Sequence, residues 1–404
     1  MPIALLALTI SAFAIGTTEF VIVGLLPTMA ADLGVSLTSA GLLVSLYALG
    51  VAIGAPVLTA LTGKLPRKTL LLALMALFTV GNLVAWQAPS YEALVVARIL
   101  TGLAHGVFFS IGSTIATGLV PREKAASAIA IMFTGLTVAL VTGVPLGTFI
   151  GQHYGWRATF LAVSGLGLIA FIGSALFVPR TITHTASASL KVQASVLLQP
   201  RLLLVYAMTA VGYGGSFIAL TFLAPLLQQV SGFEAGAVAL VMLVYGVSVT
   251  VGNIWGGKLA DRRGAVPALK IIFALLALVL LVLTFTAPHK WLMLATVLAW
   301  GAVAFGNVPG LQVYVVKQAG RFSPRAVDVA SGLNIAAFNV GIAFGAWAGG
   351  LIVERLGLVH TGWIGGLVVL GALALTAWAG RLDQRDGRDP AAVVSVGSPR
   401  IAAH

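Results

Sequence analysis

Twelve apolar runs, each long enough to cross a bilayer, constrain this chain more than any other feature. They fall near residues 3–31, 39–62, 69–88, 91–119, 125–150, 158–179, 202–230, 235–257, 266–287, 291–316, 326–353 and 361–380. A spanning helix needs about 20 mostly apolar residues. The loops between the runs carry turn residues such as Pro89-Ser90, Pro121-Arg122 and Ser231-Gly232. Composition agrees: 59% of the 404 residues are hydrophobic and 8% are charged. A water-soluble domain carries roughly a quarter of its residues as charge. The expected fold class is therefore an all-α membrane protein with twelve transmembrane helices.

The first run resembles a secretory signal but has no basic segment ahead of it and continues past Glu19 to Ala31. It is longer than a signal core and is read as the first span. The one long polar gap, 180–201, separates six spans from six. This predicts an N-terminal bundle over 1–179, a cytoplasmic linker over 180–201, a C-terminal bundle over 202–380 and a polar tail over 381–404.

The net charge of +12 comes from 23 Lys and Arg against 11 Asp and Glu. In a soluble chain this would suggest nucleic acid. Here the cations sit in short gaps. Nineteen flank the gaps after the even-numbered spans and in the tail, and three (Arg157, Lys290 and Arg355) lie on the other side. The bias predicts that both termini and the linker are cytoplasmic in a bacterial inner membrane. No nucleic-acid partner is expected. The chain has no cysteine, which removes disulfides and thiolate metal sites. No metal or cofactor is expected, and a monomer is.

The halves echo each other. GKLPRK at 63–68 follows span 2 as GKLADRRG at 257–264 follows span 8, and Ala104–Gly106 lies 200 positions before Ala304–Gly306. Two six-span halves related in this way describe a transporter with its site between them.

Two formal charges lie deep within spans: Glu19 in span 1 and Arg98 in span 4. A charge at that depth costs roughly 2.5–3.5 kcal/mol on insertion scales, so its presence points to function. At 1.5 Å per residue, Glu19 lies about 16 Å and Arg98 about 10 Å from the periplasmic ends of their helices. Burial disfavours the charged form of a carboxyl group, and a neighbouring guanidinium favours it. The pair therefore reads either as a proton-exchanging centre or as an ion pair joining two helices. His105 lies two turns after Arg98 on the same face, with Gly102 and Gly106 beside it. It can titrate, bind a ligand or bond a neighbouring helix.

Pro145, between Gly143 and Gly147, is expected to kink span 5. Asp261 in GKLADRRG, placed in a loop with Gly257, Arg262 and Gly264, is expected to latch helices on the cytoplasmic side. Polar candidates within spans are Tyr47, Asn82, Tyr213, Tyr245, Asn253, Asn307, Asn334 and Asn339. Aromatic ones are Phe13, Phe20, Phe109, Phe133, Phe217 and Phe338. For any one of these, packing competes with substrate contact.

These motifs resemble the major facilitator superfamily, in particular its twelve-span drug:proton antiporters. GKLADRRG is similar to the superfamily's cytoplasmic loop signature. Arg98, Gly102 and Gly106 match its span-4 motif, whose arginine is implicated in proton coupling. Gly143, Pro145, Gly147 and Gly151 match its span-5 antiporter motif. GTTEF at 16–20, ARILTGLAHGVFF at 97–109 and GVPLGTFIGQHYGWRATF at 143–160 resemble the sugar-efflux or arabinose-efflux branch. The resemblance implies two pseudo-symmetric six-helix bundles and alternating access. It also implies proton-coupled export of small molecules such as sugars or amphipathic drugs, with spans 1, 2, 4, 5, 7, 8, 10 and 11 lining the cavity. One departure is local: Gly63 and Pro66 stand where the first-half signature has Asp and Gly.

A facilitated uniporter or importer of the same fold is the main alternative. A membrane-embedded enzyme is disfavoured, because no metal cluster, paired intramembrane carboxylates or serine elbow appears. The chain also has no nucleotide-binding loop, and no ring of like charges of the kind that builds a channel filter.

Overall fold

A computed structural model describes residues 3–121, 124–180 and 189–388. Within them there is no strand, and twelve helices are long and apolar enough to span a membrane. Spans 1 to 6 are Ile3–Leu33, Leu37–Leu61, Arg67–Trp86, Tyr91–Gly118, Ser127–Tyr154 and Trp156–Phe177. Spans 7 to 12 are Pro200–Val230, Ala235–Arg263, Ala265–Thr286, Lys290–Phe322, Val327–Arg355 and His360–Asp386. A helix satisfies its backbone groups internally, which the interior of a bilayer requires. With an even number of spans, both ends of the described chain lie on one side, called the terminal side below.

Glycine sets the distance between helices in each half, and it does so twice in the same pattern. A Cβ on Gly54 would lie 2.6 Å from the Leu103 carbonyl, and one on Gly106 2.5 Å from that of Val51, so spans 2 and 4 touch backbone to backbone. Spans 8 and 10 repeat this through Gly252, Gly256 and Gly301, whose missing side chains would strike Ala302, Gly306 and Tyr245. Spans 1 and 5 meet along Gly135, Gly143, Gly147 and Gly151, and spans 7 and 11 along Gly341, Gly345 and Gly349. Such approach lets Cα–H groups contact carbonyls and is favoured between membrane helices.

Several irregularities interrupt the spans, and those in spans 2, 5, 7 and 10 each have a proline nearby. Widened π-helical turns occupy Gly54–Leu58, which contains Pro56, Ala139–Gly143, two residues before Pro145, and Leu226–Val230, just after Pro225. Span 10 breaks between Ala304 and Asn307. Pro309 has no N–H to give the Phe305 carbonyl, and its ring would collide there.

The halves touch through spans 1, 2 and 5 of the first and 7, 8 and 11 of the second. On the side away from the termini, Thr38 donates to the Gly350 carbonyl (2.9 Å) and Ser45 to that of Ala343 (2.7 Å).

Three expectations change on the terminal side. The polar gap 180–201 holds a helix, Leu190–Leu197, capped by Ser189. Its Val196 is buried, and Gln193 donates to the Pro56 carbonyl at 3.2 Å; residues 181–188 of the gap lie outside the described residues. The helix of span 12 does not stop at 380 but runs from His360 to Arg388. Asp383 accepts bonds from Tyr314 and Gln318, and Asp386 pairs with Arg201, so acidic groups hold this extension to spans 7 and 10. GKLADRRG is not a loop. Span 8 stays helical to Arg263 and ends at Gly264, whose φ of +82° suits a residue without a Cβ. Arg262 and Arg263 in the last turn complement the helix dipole.

Candidate functional site

Glu19, Tyr47, Arg98 and His105 meet within the first half, and all four are buried. The Arg98 guanidinium donates to the backbone carbonyls of Thr18 (2.9 Å) and Leu43 (3.4 Å) and lies 3.9 Å from the centre of the Tyr47 ring. A guanidinium over an aromatic face is held by the ring quadrupole. One arginine thus joins spans 1, 2 and 4. The helix-joining ion pair with Glu19 does not form: no nitrogen of Arg98 lies within 4.0 Å of that carboxylate. The carbonyl of Thr18 takes the donor instead, and Thr18 is fixed in turn by its hydroxyl, which bonds Asn82 of span 3 at 2.8 Å.

The basic side chain beside the Glu19 carboxylate is His105, with Nδ1 4.0 Å from Oε2. The same Nδ1 lies 3.0 Å from the Tyr47 hydroxyl. One ring nitrogen carries either a lone pair or a proton. Nδ1 therefore either accepts from Tyr47 or holds a proton facing both Tyr47 and the carboxylate. Glu19, His105 and Tyr47 thus form a short polar line, with the Tyr47–His105 pair hydrogen-bonded and the Glu19 carboxylate 4.0 Å from the same nitrogen. Phe109 packs tilted against the imidazole with centroids 5.0 Å apart, and Phe133 packs tilted against Phe109 at 5.0 Å.

The residue after Glu19 opens a second cluster. Phe20 reaches across to Phe217 and Phe305, with centroids at 6.4 and 6.3 Å. Tyr213 contacts Phe338 (4.7 Å), Phe305 (5.5 Å) and Phe217 (5.6 Å). Behind them Tyr245 stands edge-on to Trp300, whose indole N–H donates to Ser216 at 3.0 Å. Five rings from spans 1, 7, 10 and 11 thus make an aromatic box beside the polar line. The Tyr245 hydroxyl and the side-chain oxygens of Asn307 and Asn339 are buried without a protein partner. A buried polar atom without a partner costs about 1–3 kcal/mol, so these atoms suit a bound polar molecule.

Some candidates sit elsewhere. Phe13 makes no ring contact among the described residues. Asn334 belongs to a separate network, accepting from Thr209 (2.7 Å) and donating to Gln312 (2.9 Å). Asp261 is exposed and forms no ion pair among the described residues, so the expected latch is not engaged here. Gly143 and Gly147 pack against Thr17 and Val21 of span 1, and Pro145 is buried beside them. Phe305 and Trp300 were not among the candidates. Phe305 stands 200 positions after His105, so the internal repeat itself pointed to it.

Two helical halves packed around a buried polar and aromatic centre define a multi-pass membrane transporter. The family model described as Major Facilitator Superfamily matches residues 8–322, and the chain belongs to that superfamily; it is a transporter and not an enzyme. It is 55% identical to the "Uncharacterized MFS-type transporter YtbD" of Bacillus subtilis (strain 168), over 96% of this chain and 97% of that one. It is 34% identical to the "Chloramphenicol resistance protein" of Streptomyces lividans, over 87% and 94%. It is 32% identical to the "Putative transporter AraJ" of Escherichia coli (strain K12), over 92% and 93%. Among solved structures, a bacterial homolog of the human lysosomal transporter Spinster, in an inward-facing and unoccupied conformation, shares the fold. The TM-score is 0.74 at 17% identity, covering 96% of this chain and 98% of that one.

Proposed function

We propose that this protein is a proton-coupled antiporter that exports small amphipathic molecules across the bacterial inner membrane. It acts as a monomer with both termini and the linker in the cytoplasm. The reading rests on one observation: the buried Glu19 carboxylate, 4.0 Å from His105, is next in sequence to Phe20, a wall of the aromatic box. In this reading a ligand in the box and a proton on Glu19 are coupled through adjacent residues of span 1.

Residues 1–179 and 202–380 act as two rocking bundles. The bonds between spans 2 and 11 lie on the side the charge bias assigns to the periplasm, which suits an inward-facing state. Here substrate enters from the cytoplasm and stacks among Phe20, Tyr213, Phe217, Phe305 and Phe338. Its polar groups meet Tyr245 and Asn307. Binding favours release of the Glu19 proton through His105, and Arg98 supplies the positive field that stabilises the carboxylate. Once the protein opens outward, Glu19 takes a periplasmic proton, the bonds from carboxylate to substrate weaken, and substrate leaves. On that stroke the bundles meet on the cytoplasmic side, where Asp261 and Arg262 latch them. The ligand shifts the equilibrium only by its unequal affinity for the two states. The aromatic walls favour an amphipathic body over a bare sugar, and the name of the Streptomyces relative points the same way.

Substrate-induced proton release from detergent-solubilised protein tests the reading. Wild type should release protons on binding, and Glu19→Gln should bind substrate without release. Equal release by both would remove Glu19 as the carrier and make His105→Gln the next test. Proton-independent movement of substrate in vesicles would instead favour the uniporter reading.

A further inference from the structure

A cavity of about 470 Å³ opens at the terminal side of the first half, away from the buried centre. It is lined by Pro66, Lys68, Thr69 and Leu72 from the start of span 3, and by Ala175 and Arg180 from the end of span 6. Two cations therefore share one small hollow. Neither forms an ion pair among the described residues. No Asp or Glu occurs anywhere in 61–80 or 158–180 to balance them. The Lys68 ammonium is aimed rather than loose, because it donates to the Ala175 carbonyl at 2.7 Å. That bond satisfies a carbonyl of the last helical turn of span 6 and leaves the remaining ammonium donors for another acceptor. Arg180 adds a guanidinium fork suited to paired phosphate oxygens, and Thr69 contributes a hydroxyl.

The rim of this hollow is apolar. Pro66, Leu72 and Ala175 line it, and Leu65 and Leu176, their neighbours in sequence, are 46% and 70% exposed, as is Phe177 at 48%. In a membrane protein such side chains at a helix end meet acyl chains. The site thus joins a basic recess at headgroup depth to a greasy wall running into the bilayer.

We propose that this recess binds the phosphate of an anionic phospholipid, with Lys68 and Arg180 holding the phosphate oxygens and the lipid tails lying along Leu72, Leu176 and Phe177. A free phosphate ion would use the same donors but would gain nothing from the apolar rim, and this decides for the lipid. Basic pockets between transmembrane helices bind anionic headgroups for these reasons. The lipid would tie the start of span 3 to the end of span 6, two elements of one half. The proposal does not depend on proton coupling or on any substrate.

The test uses the full chain purified in neutral detergent, with three probes: dioctanoyl phosphatidylglycerol, dioctanoylglycerol and inorganic phosphate. Binding is read by native mass spectrometry and by the shift in unfolding midpoint. Phosphatidylglycerol should bind and raise the midpoint, while dioctanoylglycerol and phosphate at equal concentration should not. The double substitution Lys68→Gln, Arg180→Gln should weaken binding roughly 30-fold, at about one surface-cation contribution each. Lys68→Arg should restore most of the Lys68 share. Arg180→Gln alone guards against misfolding, because Arg180 is exposed and has no hydrogen-bond partner among the described residues; it should cost roughly fivefold. Equal affinity in wild type and the charge-neutral variants would overturn the site. So would equal stabilisation by dioctanoylglycerol. A response to phosphate with none to the lipid would assign the recess to a free anion and overturn the lipid proposal.

Discussion

Replacing Gly106 by alanine adds one methyl group at a place where the structure leaves no room for it. The new Cβ would lie 2.5 Å from the Val51 carbonyl oxygen and 2.6 Å from the Ala55 nitrogen, both backbone atoms that cannot rotate away. Reaching an ordinary 3.4 Å contact requires spans 2 and 4 to separate locally by about 0.9 Å, the difference between 3.4 and 2.5 Å. Overpacking of this kind costs about 1–3 kcal/mol. Alanine returns up to about 1 kcal/mol through its better helix propensity. The site responds too. His105 precedes Gly106, and its 3.0 Å contact to Tyr47 on span 2 would stretch to about 3.9 Å, beyond hydrogen-bonding range. Gly165→Ala in span 6 is the control, because a Cβ there meets nothing within 4 Å. Unfolding midpoints in one detergent should fall for Gly106→Ala and hold or rise for Gly165→Ala. Substrate-induced proton release should drop in the first variant only. If the two variants unfold at the same midpoint, the backbone contact between spans 2 and 4 is not the constraint argued here.

Other expectations concern separate parts of the molecule. Asp261→Asn should slow transport roughly tenfold, the scale of one charged hydrogen bond, while leaving ligand affinity unchanged; a matching loss of affinity would argue against a latch. A reporter fused near Lys191 should behave as cytoplasmic and one near Ser231 as periplasmic, and the reverse pattern would invert the orientation. Asp383→Ala strands the donors of Tyr314 and Gln318 and should cost about 1–3 kcal/mol. Asp383→Asn keeps an acceptor and should cost less, so equal midpoints for these two variants would rule out the bonds as the cause. Tyr47→Phe keeps the ring beside Arg98 but removes the hydroxyl from His105. It should reduce proton release without unfolding the protein, and unchanged release would take Tyr47 out of the relay.

Hydropathy carried the spans, because twenty consecutive apolar residues have few other uses. The repeat carried part of the site as well: the 200-residue offset that pairs Gly106 with Gly306 also pairs His105 with Phe305, which lines the aromatic box. The break in span 10 was written in Pro309, four residues after the carbonyl it disturbs. The partner of Arg98 was not legible. Charge and depth pointed to Glu19, yet the guanidinium took the backbone carbonyls of Thr18 and Leu43, which no side-chain pattern displays. GKLADRRG looked like a loop because it is polar, but it is the end of span 8 emerging from the apolar zone still helical. The extension of span 12 to Arg388 was hidden in the same way, since its holding bonds come from Arg201, Tyr314 and Gln318, far off in sequence.

The two hydroxyl bonds that join spans 2 and 11, Thr38 to Gly350 and Ser45 to Ala343, are polar ties across the seam between the halves. Each contributes about 0.5–1.5 kcal/mol net, so together they bias the side-to-side equilibrium by roughly 1–3 kcal/mol, a population ratio between about 5 and 150. The contacts of Gly106 and Gly341 inside each half are steric and admit no such compromise. The seam between the halves carries steric contacts too, since a Cβ on Gly246 of span 8 would strike the Leu140 carbonyl of span 5, so parting the halves means separating backbones as well as breaking two hydroxyl bonds.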